Sequence, residues 1–448
     1  MAQGFSYSQS TLRQLAQDGL DYARRQGASD CEVDVSEGVG QSVTVRRQEV
    51  DTIEYNRDKG FGVTIYLGQR RGHASSSDFS AEAMRATIDA ALAIARFTAK
   101  DDCAGLPEAS LLAKKGMALD LFHPWKLTVE DSIGLAQRCE QAAFDVSPLV
   151  RNSEGASVSA QQSNFVSANS LGFMGGFATS RHYLSVSVIA GRKPNGQDMQ
   201  RDDWYVTERN AANFPKPEKI GAYAARRALA RLGARKLKTR KCPVIFEAPL
   251  AAGLIGSFVQ AVSGGALYRK TSFLLDSLGQ RIFPEFVQIS ERPHLKGALA
   301  SSPFDDDGIA TRDREVVTDG VVQGYFLSTY SARKLGMPST GNAGGSHNLL
   351  VKPGKQNLKA MLKAMGRGLL VTELLGQGVN YVTGDYSRGA AGYWVENGEI
   401  AYPVEEITIA GNLKEMFAGI QAIGSDVLIR GSKQVGSIWI DQMTIAGN

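Results

Sequence analysis

Apolar residues recur along this chain with two different periods, and the changes between them mark out its elements. Leu12, Leu15, Ala16, Leu20 and Ala23 repeat at helical spacing, and Gly27 predicts the end of that helix. The period then falls to two. Val43/Val45, Ile53/Tyr55 and Val63/Ile65 alternate with polar residues, which predicts a half-exposed antiparallel meander with turns at Gln48-Glu49 and Asp58-Lys59-Gly60. A second helix is predicted from about Ser80, with Met84, Ile88, Leu92 and Ala95 on one face. A third starts near Thr128, where Asp131 stands in capping-box position, and carries Ile133, Ala136, Cys139 and Phe144. Cys139 lies on that apolar stripe and reads as core. A second strand set spans Ser157 to about Val206, so the order helix–meander–helix–helix–meander hints at a duplication.

The C-terminal half opens with a strand, Pro243–Phe246, followed by an uncharged stretch from Ala248 to Tyr268. Its Pro249, Gly253, Gly256, Ser257, Gln260, Ser263, Gly264 and Gly265 argue for a buried, closely packed helix ending at Gly264-Gly265, not a membrane span. Thr318-Asp319-Gly320-Val321 and Glu396-Asn397-Gly398-Glu399 both predict two-residue hairpin turns. One more helix carries Leu358, Met361, Leu362 and Met365. The expected fold class is α+β: N-terminal helices with antiparallel strand meanders, then a mainly antiparallel β domain with a few helices. The boundary is expected near residue 240, giving an N-terminal α+β domain (1–240) and a C-terminal β-rich domain (241–448).

Composition narrows the class. Of 448 residues 43% are hydrophobic and 21% charged, as in soluble globular proteins, which excludes disordered, collagenous and coiled-coil chains. A net charge of +4 supplies no global field for nucleic acid or an anionic membrane. Eight basic and no acidic residues do fall between Arg226 and Lys241. They read either as a nucleic-acid stripe or as a solvated helix face running into a linker, and the lack of interleaved aromatics favours the second. Cys31, Cys103, Cys139 and Cys242 are too scattered for a disulfide framework. The opening Met-Ala-Gln-Gly-Phe-Ser-Tyr-Ser has neither a basic nor an apolar region, so no export signal and a cytoplasmic location are expected.

Catalytic motifs are sparse. The five histidines (His73, His123, His182, His294, His347) and four cysteines never fall two to a short segment, so no local zinc motif exists. Asp305-Asp306-Asp307-Gly308 resembles a calcium loop, but Pro303 and Arg314 occupy its end positions, and it reads as an acidic turn. Ser331-Ala-Arg-Lys334 matches the Ser-x-x-Lys of serine hydrolases without a Ser-Asp-Asn partner. Asp385-Tyr386-Ser387-Arg388-Gly389 misses a nucleophile elbow at its first position. The remaining signal is a density of Gly-rich, polar–aromatic loops, including Gly341–Gly345, Gly376–Gly378 and Gly384–Gly392.

Those loops carry a family resemblance. Tyr268–Gly279, Ser331–Gly336 with Ser339–Gly341, Thr383–Gly392, Trp394–Glu399, and Pro403–Glu406 running into Ile407–Leu413 resemble the TldD/PmbA family, once labelled modulators of DNA gyrase. Leu121–Pro124 and the N-terminal meander match as well, so the resemblance runs essentially end to end. It implies a PmbA-type (TldE-type) subunit of a cytoplasmic two-chain metallopeptidase that cleaves unfolded peptides and leader peptides of modified peptide antibiotics. TldD-type members carry a zinc-binding His-Glu-x-x-x-His on the first helix of the C-terminal domain, with a Cys ligand further on. In this chain Ser257 and Val262 stand where the histidines would be, Phe258 where the glutamate would be, and no Cys follows Cys242. None of these side chains can ligate zinc well or accept a proton from metal-bound water. The resemblance therefore implies no cofactor and no catalytic residue in this chain, with zinc held by a TldD-type partner. Arg269, Lys270, Tyr386 and Arg388 are candidates to face peptide or partner. A homodimer of the isolated chain is compatible with a surface built for a related partner.

Two other classes stay open. One is a gyrase-modulating or nucleic-acid-binding regulator, supported only by the Arg226–Lys241 run. The other is a self-sufficient hydrolase using Ser331/Lys334 or Ser387.

Overall fold

The N-terminal half repeats one order of elements twice. The computed structural model describes residues 4–114, 116–192 and 198–447; Met1, Ala2 and Gln3, which open the segment read as lacking an export signal, lie outside them. Helix α1 (Gln9–Arg25), strands β1 (Asp30–Arg46), β2 (Glu49–Leu67) and β3 (Arg70–Ser76), and helix α2 (Ala81–Phe97) form the first set. The second comprises α3 (Val129–Phe144), β4 (Val150–Asn169), short β5 (Met174–Gly175), β6 (Ala178–Gly191), β7 (Met199–Glu208) and α4 (Pro217–Ala230). All seven strands form one antiparallel sheet, ordered β3-β2-β1-β4-β6-β7 with β5 on β4, so β1 and β4 join the two sets.

Local chemistry starts these helices where the pattern placed them. Ser8 and Ser80 accept from backbone N–H groups of α1 and α2, and Thr128 and Asp131 form a reciprocal capping box on α3. Leu12, Ala16, Leu20 and Ala23 line one core with Met84, Ile88, Leu92 and Ala95; Ala136 and Cys139 line a second with α4. Helix α4 crosses α3 at Gly221, where a Cβ would sit 1.8 Å from the Cys139 carbonyl oxygen, so any larger residue would push the helices apart.

One predicted turn is absent. Asp58, Lys59 and Gly60 lie inside β2, paired with Gly38, Glu37 and Ser36 of β1. Continuous cross-strand pairing overrides the local turn tendency. The real turn is at Arg47 and Gln48, both with positive φ, whose N–H groups donate to the buried Glu140 carboxylate at 2.9 and 2.7 Å. Glu49–Lys59 is exposed along its whole length, and β3 pairs only with Phe61–Leu67. The meander is therefore not evenly half-exposed: its inner part, with Val63 and Ile65, is buried, and its outer part is bare.

The C-terminal half contains β8 (Arg240–Phe246), α5 (Ala248–Ala261), α6 (Gly264–Tyr268), β9 (Ile289–Glu291), β10 (Arg314–Thr318), β11 (Val321–Val322), α7 (Thr329–Leu335), β12 (Leu349–Val351), α8 (Leu358–Met365) and β13 (Gly368–Leu375). It continues through β14 (Asp385–Glu396), β15 (Glu399–Asn412), α9 (Leu413–Ala418), β16 (Ile420–Ile423), β17 (Leu428–Ile429), β18 (Lys433–Val435) and β19 (Ile438–Ala446). One sheet runs β11-β10-β9-β12-β18-β17, the other β15-β14-β13-β8-β19-β16. Because β15 also pairs with β19, five strands of the second sheet close into a ring. Only β8/β13 and β12/β18 are parallel among the described pairs of these sheets, so the molecule is α+β with mainly antiparallel sheets.

Both predicted hairpins form, with positive φ at Asp319-Gly320 and Asn397-Gly398. The uncharged stretch differs from expectation. It is two helices, because α5 ends at Ala261 and the chain turns through Val262 and Ser263 before α6. No helix among the described residues is long and apolar enough to cross a membrane. The halves meet through polar and aromatic contacts: Arg209 donates to the Ala298 and Leu299 carbonyls at 2.9 Å each, and Phe173 packs edge-on against Phe304 at 5.1 Å.

Candidate functional site

Helix α5 presents one face to the largest core and the other to solvent. Ala251, Leu254, Ile255, Phe258 and Ala261 are buried, while Gly253 and Gln260 are exposed. The three motif positions fall in different places. Phe258 is 0% exposed and packs edge-on against Phe283 and Phe417, at 5.1 and 6.2 Å. Val262 is also 0% exposed, at the end of the helix. Only Ser257 reaches a cavity, and its Oγ donates back to the Gly253 carbonyl at 3.3 Å. A hydroxyl, a phenyl ring and an isopropyl group make no donor set for zinc. Among the described residues, no group of three or more His, Cys, Asp or Glu side chains could hold a metal ion.

That cavity has a volume of about 180 Å³ and is walled by Leu250, Leu254, Leu374 and Val379. Tyr386 and Arg388, two residues apart on one face of β14, line it opposite Ser257. Tyr386 is only 3% exposed. Burial pushes its phenol up to about 12, with nearby Arg388 opposing. Neither the Tyr386 hydroxyl nor Arg388 Nε completes a hydrogen bond of normal geometry. The segment behind them is held by Gly378, whose Cβ would lie 1.5 Å from the Ser387 carbonyl oxygen and whose own carbonyl accepts from Ser387 N at 2.7 Å. Arg269 and Lys270 do not line this cavity. They are exposed at the end of α6, where the Arg269 guanidinium stacks on Tyr268 at 5.1 Å. Thus two of the four candidates come together and two stand apart.

A second cavity, of about 310 Å³, flanks the same helix and shares Gly253 with the first. Arg430 and Lys433 line it. Arg430 is stacked on the rings of Trp204 and Tyr205, at 3.8 and 3.9 Å, and among the described residues one of its guanidinium nitrogens completes no hydrogen bond. Burial lowers the pKa of Lys433. No local motif surrounds these two residues, so nothing in the sequence singled them out.

The alternative chemistries fare differently. Ser331 caps α7 by accepting from Ser328 N at 3.0 Å, while Lys334 turns away to donate to Asp101 at 2.8 Å. That pair is therefore not a nucleophile and its base. Ser387 is exposed on β14, between the two cavity residues. The basic run is divided: Arg227 pairs with Asp202 and Glu247, Arg231 with Asp202 and Glu373, and exposed Lys236 with Glu406, while Arg226, Arg235, Lys238 and Lys241 are exposed. Arg235 and Arg240 stack on Tyr402 and Trp394. The four cysteines are free, and Cys31, Cys139 and Cys242 are buried.

The acidic turn is structural in its bonding. Asp305 accepts from the N–H groups of Asp307, Ile309 and Ala343 at 2.9–3.0 Å, while burial pushes its carboxyl up to about 7. Glu291 behaves oppositely. Burial would raise its carboxyl, but His347, Arg314 and the His347 N–H overcome that and hold it near 2.

Matches to known proteins give the class and then the family. Models of the PmbA/TldA metallopeptidases cover domain 1 at residues 31–95, the central domain at 122–232 and the C-terminal domain at 239–447. The chain belongs to this family. It is 49% identical to "Metalloprotease PmbA" of Escherichia coli O157:H7 over 422 residues, covering 94% of this chain and 93% of that one. In structure it is similar to a candidate modulator of DNA gyrase from Bacteroides thetaiotaomicron, with a TM-score of 0.91 and 27% identity, covering 97% and 99% of the two chains. It shares its fold with TldE from Thermococcus kodakarensis, with a TM-score of 0.82 and 20% identity, covering 97% and 100%.

Proposed function

We propose that this chain is the non-catalytic, TldE-type subunit of a cytoplasmic two-chain metallopeptidase that cleaves unfolded peptides, including leader peptides of modified peptide antibiotics. It holds no zinc itself. Its TldD-type partner supplies the metal, and this chain closes the site around a bound peptide. The observation that carries this is Phe258, fully buried against Phe283 and Phe417 at the position of the family's catalytic glutamate. A general base must reach metal-bound water, and no rotation of a packed phenyl ring provides one. The outer part of β2 supports a partner surface: among the described strands none pairs with the free edge of residues 49–59, and Val50, Ile53 and Tyr55 are exposed there. The same surface would serve a homodimer when the partner is missing. The nucleic-acid alternative keeps only part of its Arg226–Lys241 run, since Arg227, Arg231 and Lys236 are engaged in ion pairs.

The test is to purify the chain with and without a TldD-type subunit from the same source, then measure bound zinc and cleavage of an unfolded peptide. Zinc and chelator-sensitive cleavage are expected only in the two-chain sample. Stoichiometric zinc with cleavage by this chain alone would overturn the proposal.

A further inference from the structure

The position from which the family's zinc helix would present a cation-binding face is lined here by hydrogen-bond donors and no carboxylate. The cavity at Ser257 contains the Arg388 guanidinium, the Tyr386 hydroxyl and the Gln377 amide, and no carboxylate. Two of its donor groups, Tyr386 O–H and Arg388 Nε, are shielded from solvent and complete no hydrogen bond of normal geometry among the described residues, although the Arg388 guanidinium lies close enough to the phenol to hold its pKa down. Leaving such groups unpaired costs stability, so they persist more readily where a ligand completes them. Among the described residues no carboxylate lies within ion-pair distance of Arg388 or Lys433. The neighbouring cavity across Gly253 is similar: among the described residues Arg430 Nη2 completes no hydrogen bond of normal geometry, and Lys433 Nζ donates to the Ser432 hydroxyl at 3.3 Å.

We infer that the cavity at Ser257 binds a carboxylate of a peptide, with Arg388 and Tyr386 donating to its oxygens. This rests on the chain's being a peptidase subunit that contacts peptide. One guanidinium beside one neutral phenol matches a single negative charge, which suits a carboxylate better than a doubly charged phosphoryl group. The walls of Leu250, Leu254, Leu374 and Val379 suit an aliphatic side chain next to that carboxylate. The volume of about 180 Å³ is that of one terminal residue or one acidic side chain, not of a folded partner. The Tyr386 phenol is protonated at neutral pH, as any ordinary phenol is, and burial only raises it further, so its O–H can donate. In this family member a cation-binding position has thus become an anion-binding one.

The carboxylate can be the C-terminus of the peptide or an Asp or Glu within it, and the experiment separates these. Three dye-labelled unfolded decapeptides of glycine, alanine and leucine are titrated into the intact chain by fluorescence anisotropy. One ends in a free leucine carboxylate, one in leucine amide, and one in leucine amide with a single internal glutamate. At least one carboxylate-bearing peptide should bind about 10-fold or more tighter than the plain amide, and Arg388→Met should abolish that difference. Tyr386→Phe should weaken the carboxylate peptide several-fold in a chain that still melts cooperatively, because the ring and its packing remain and only the hydroxyl beside Arg388 is lost. Equal binding of all three peptides, no binding of any, or an Arg388→Met variant that discriminates like the native chain would each overturn the inference. Cleavage by the two-chain sample is measured separately, so peptidase activity without carboxylate preference sinks this inference and spares the proposed function. Loss of both sinks both.

Discussion

Lys334 Nζ donates to Asp101 Oδ1 at 2.8 Å, tying α7 of the C-terminal half to the segment that follows α2 in the N-terminal half. Tyr330 donates to the other oxygen at 2.6 Å, and Arg333 reaches the backbone carbonyl of Gly105 at 3.1 Å. A lysine held in this way is a clasp between the halves. The same contact holds the Asp101 carboxyl down near 2 and raises Lys334 further above its ordinary value. Lys334→Met should therefore lower the melting temperature at pH 7. A serine-directed covalent probe should label neither the native chain nor the variant. Labelling of the native chain that disappears in the variant would restore Ser331 as a nucleophile.

Acidification should strengthen the same junction through different groups. Glu32 on β1 has its carboxyl pushed up to about 7 by burial and then by the facing Asp307. A raised carboxyl means that the folded chain binds more protons than the unfolded one between about pH 4.5 and 7, so stability falls as pH rises through that window. Asp305 acts in the same direction. The melting temperature should fall from pH 5 to 7.5. Glu32→Gln should flatten that slope and stabilise the chain at pH 7.5 by on the order of 2 kcal/mol. A pH-independent melting temperature, unchanged in the variant, would count against a buried, protonated Glu32.

Glu291 predicts the opposite slope at lower pH. With its carboxyl held near 2, its contribution is complete above about 4.5 and is lost as pH falls toward 2. It is 1% exposed and also accepts from the Asn342 amide at 2.8 Å. Removing one partner of such a buried pair strands the other, so Glu291→Ala should cost about 3–5 kcal/mol at pH 7 by chemical denaturation. A cost below about 1 kcal/mol would mean that Arg314 finds another acceptor.

Grafting the zinc motif should fail. A Ser257→His, Phe258→Glu, Val262→His triple variant places a carboxylate among Phe283 and Phe417 and an imidazole in the core. Losing the Phe258 packing alone should cost about 3–5 kcal/mol, before the burial of a charge is counted. The expected outcome is a strongly destabilised chain without stoichiometric zinc, read by thermal melting and metal analysis. A stable variant that binds one zinc per chain would show that the core tolerates what its packing argues against.

What was legible in the sequence was local. Thr128 and Asp131 are three residues apart, and their capping box forms; Asn397-Gly398 carries its own turn geometry, and the hairpin forms. Asp58-Lys59-Gly60 looks like a turn in isolation, but its conformation is decided by Ser36, Glu37 and Gly38 across the sheet. The break between α5 and α6 was hidden because an uncharged run shows no period that distinguishes one helix from two. Tyr386 and Arg388 could be picked out together, since a strand puts alternate residues on one side. Their meeting with Ser257 depends on how α5 packs across the sheet. Arg430 and Lys433 went unnoticed for the same reason. The pairing of Arg231 with Asp202 and Glu373 likewise depends on residues far from it along the chain.

The ring of strands β15, β14, β13, β8 and β19 also bears on how this protein is made. Its first member ends at Phe246 and its last runs to Ala446, and β19 is hydrogen-bonded to β8, β15 and β16 at once. During synthesis the chain leaves the ribosome from the N-terminus. The helices and sheet of the first half can assemble while translation continues, but the ring has a missing stave until the stretch through Ala446 has emerged. Until then β8 and β15 carry open edges toward the empty place. This half is therefore most open to aggregation and to chaperone capture in the interval between the emergence of β8 and that of β19.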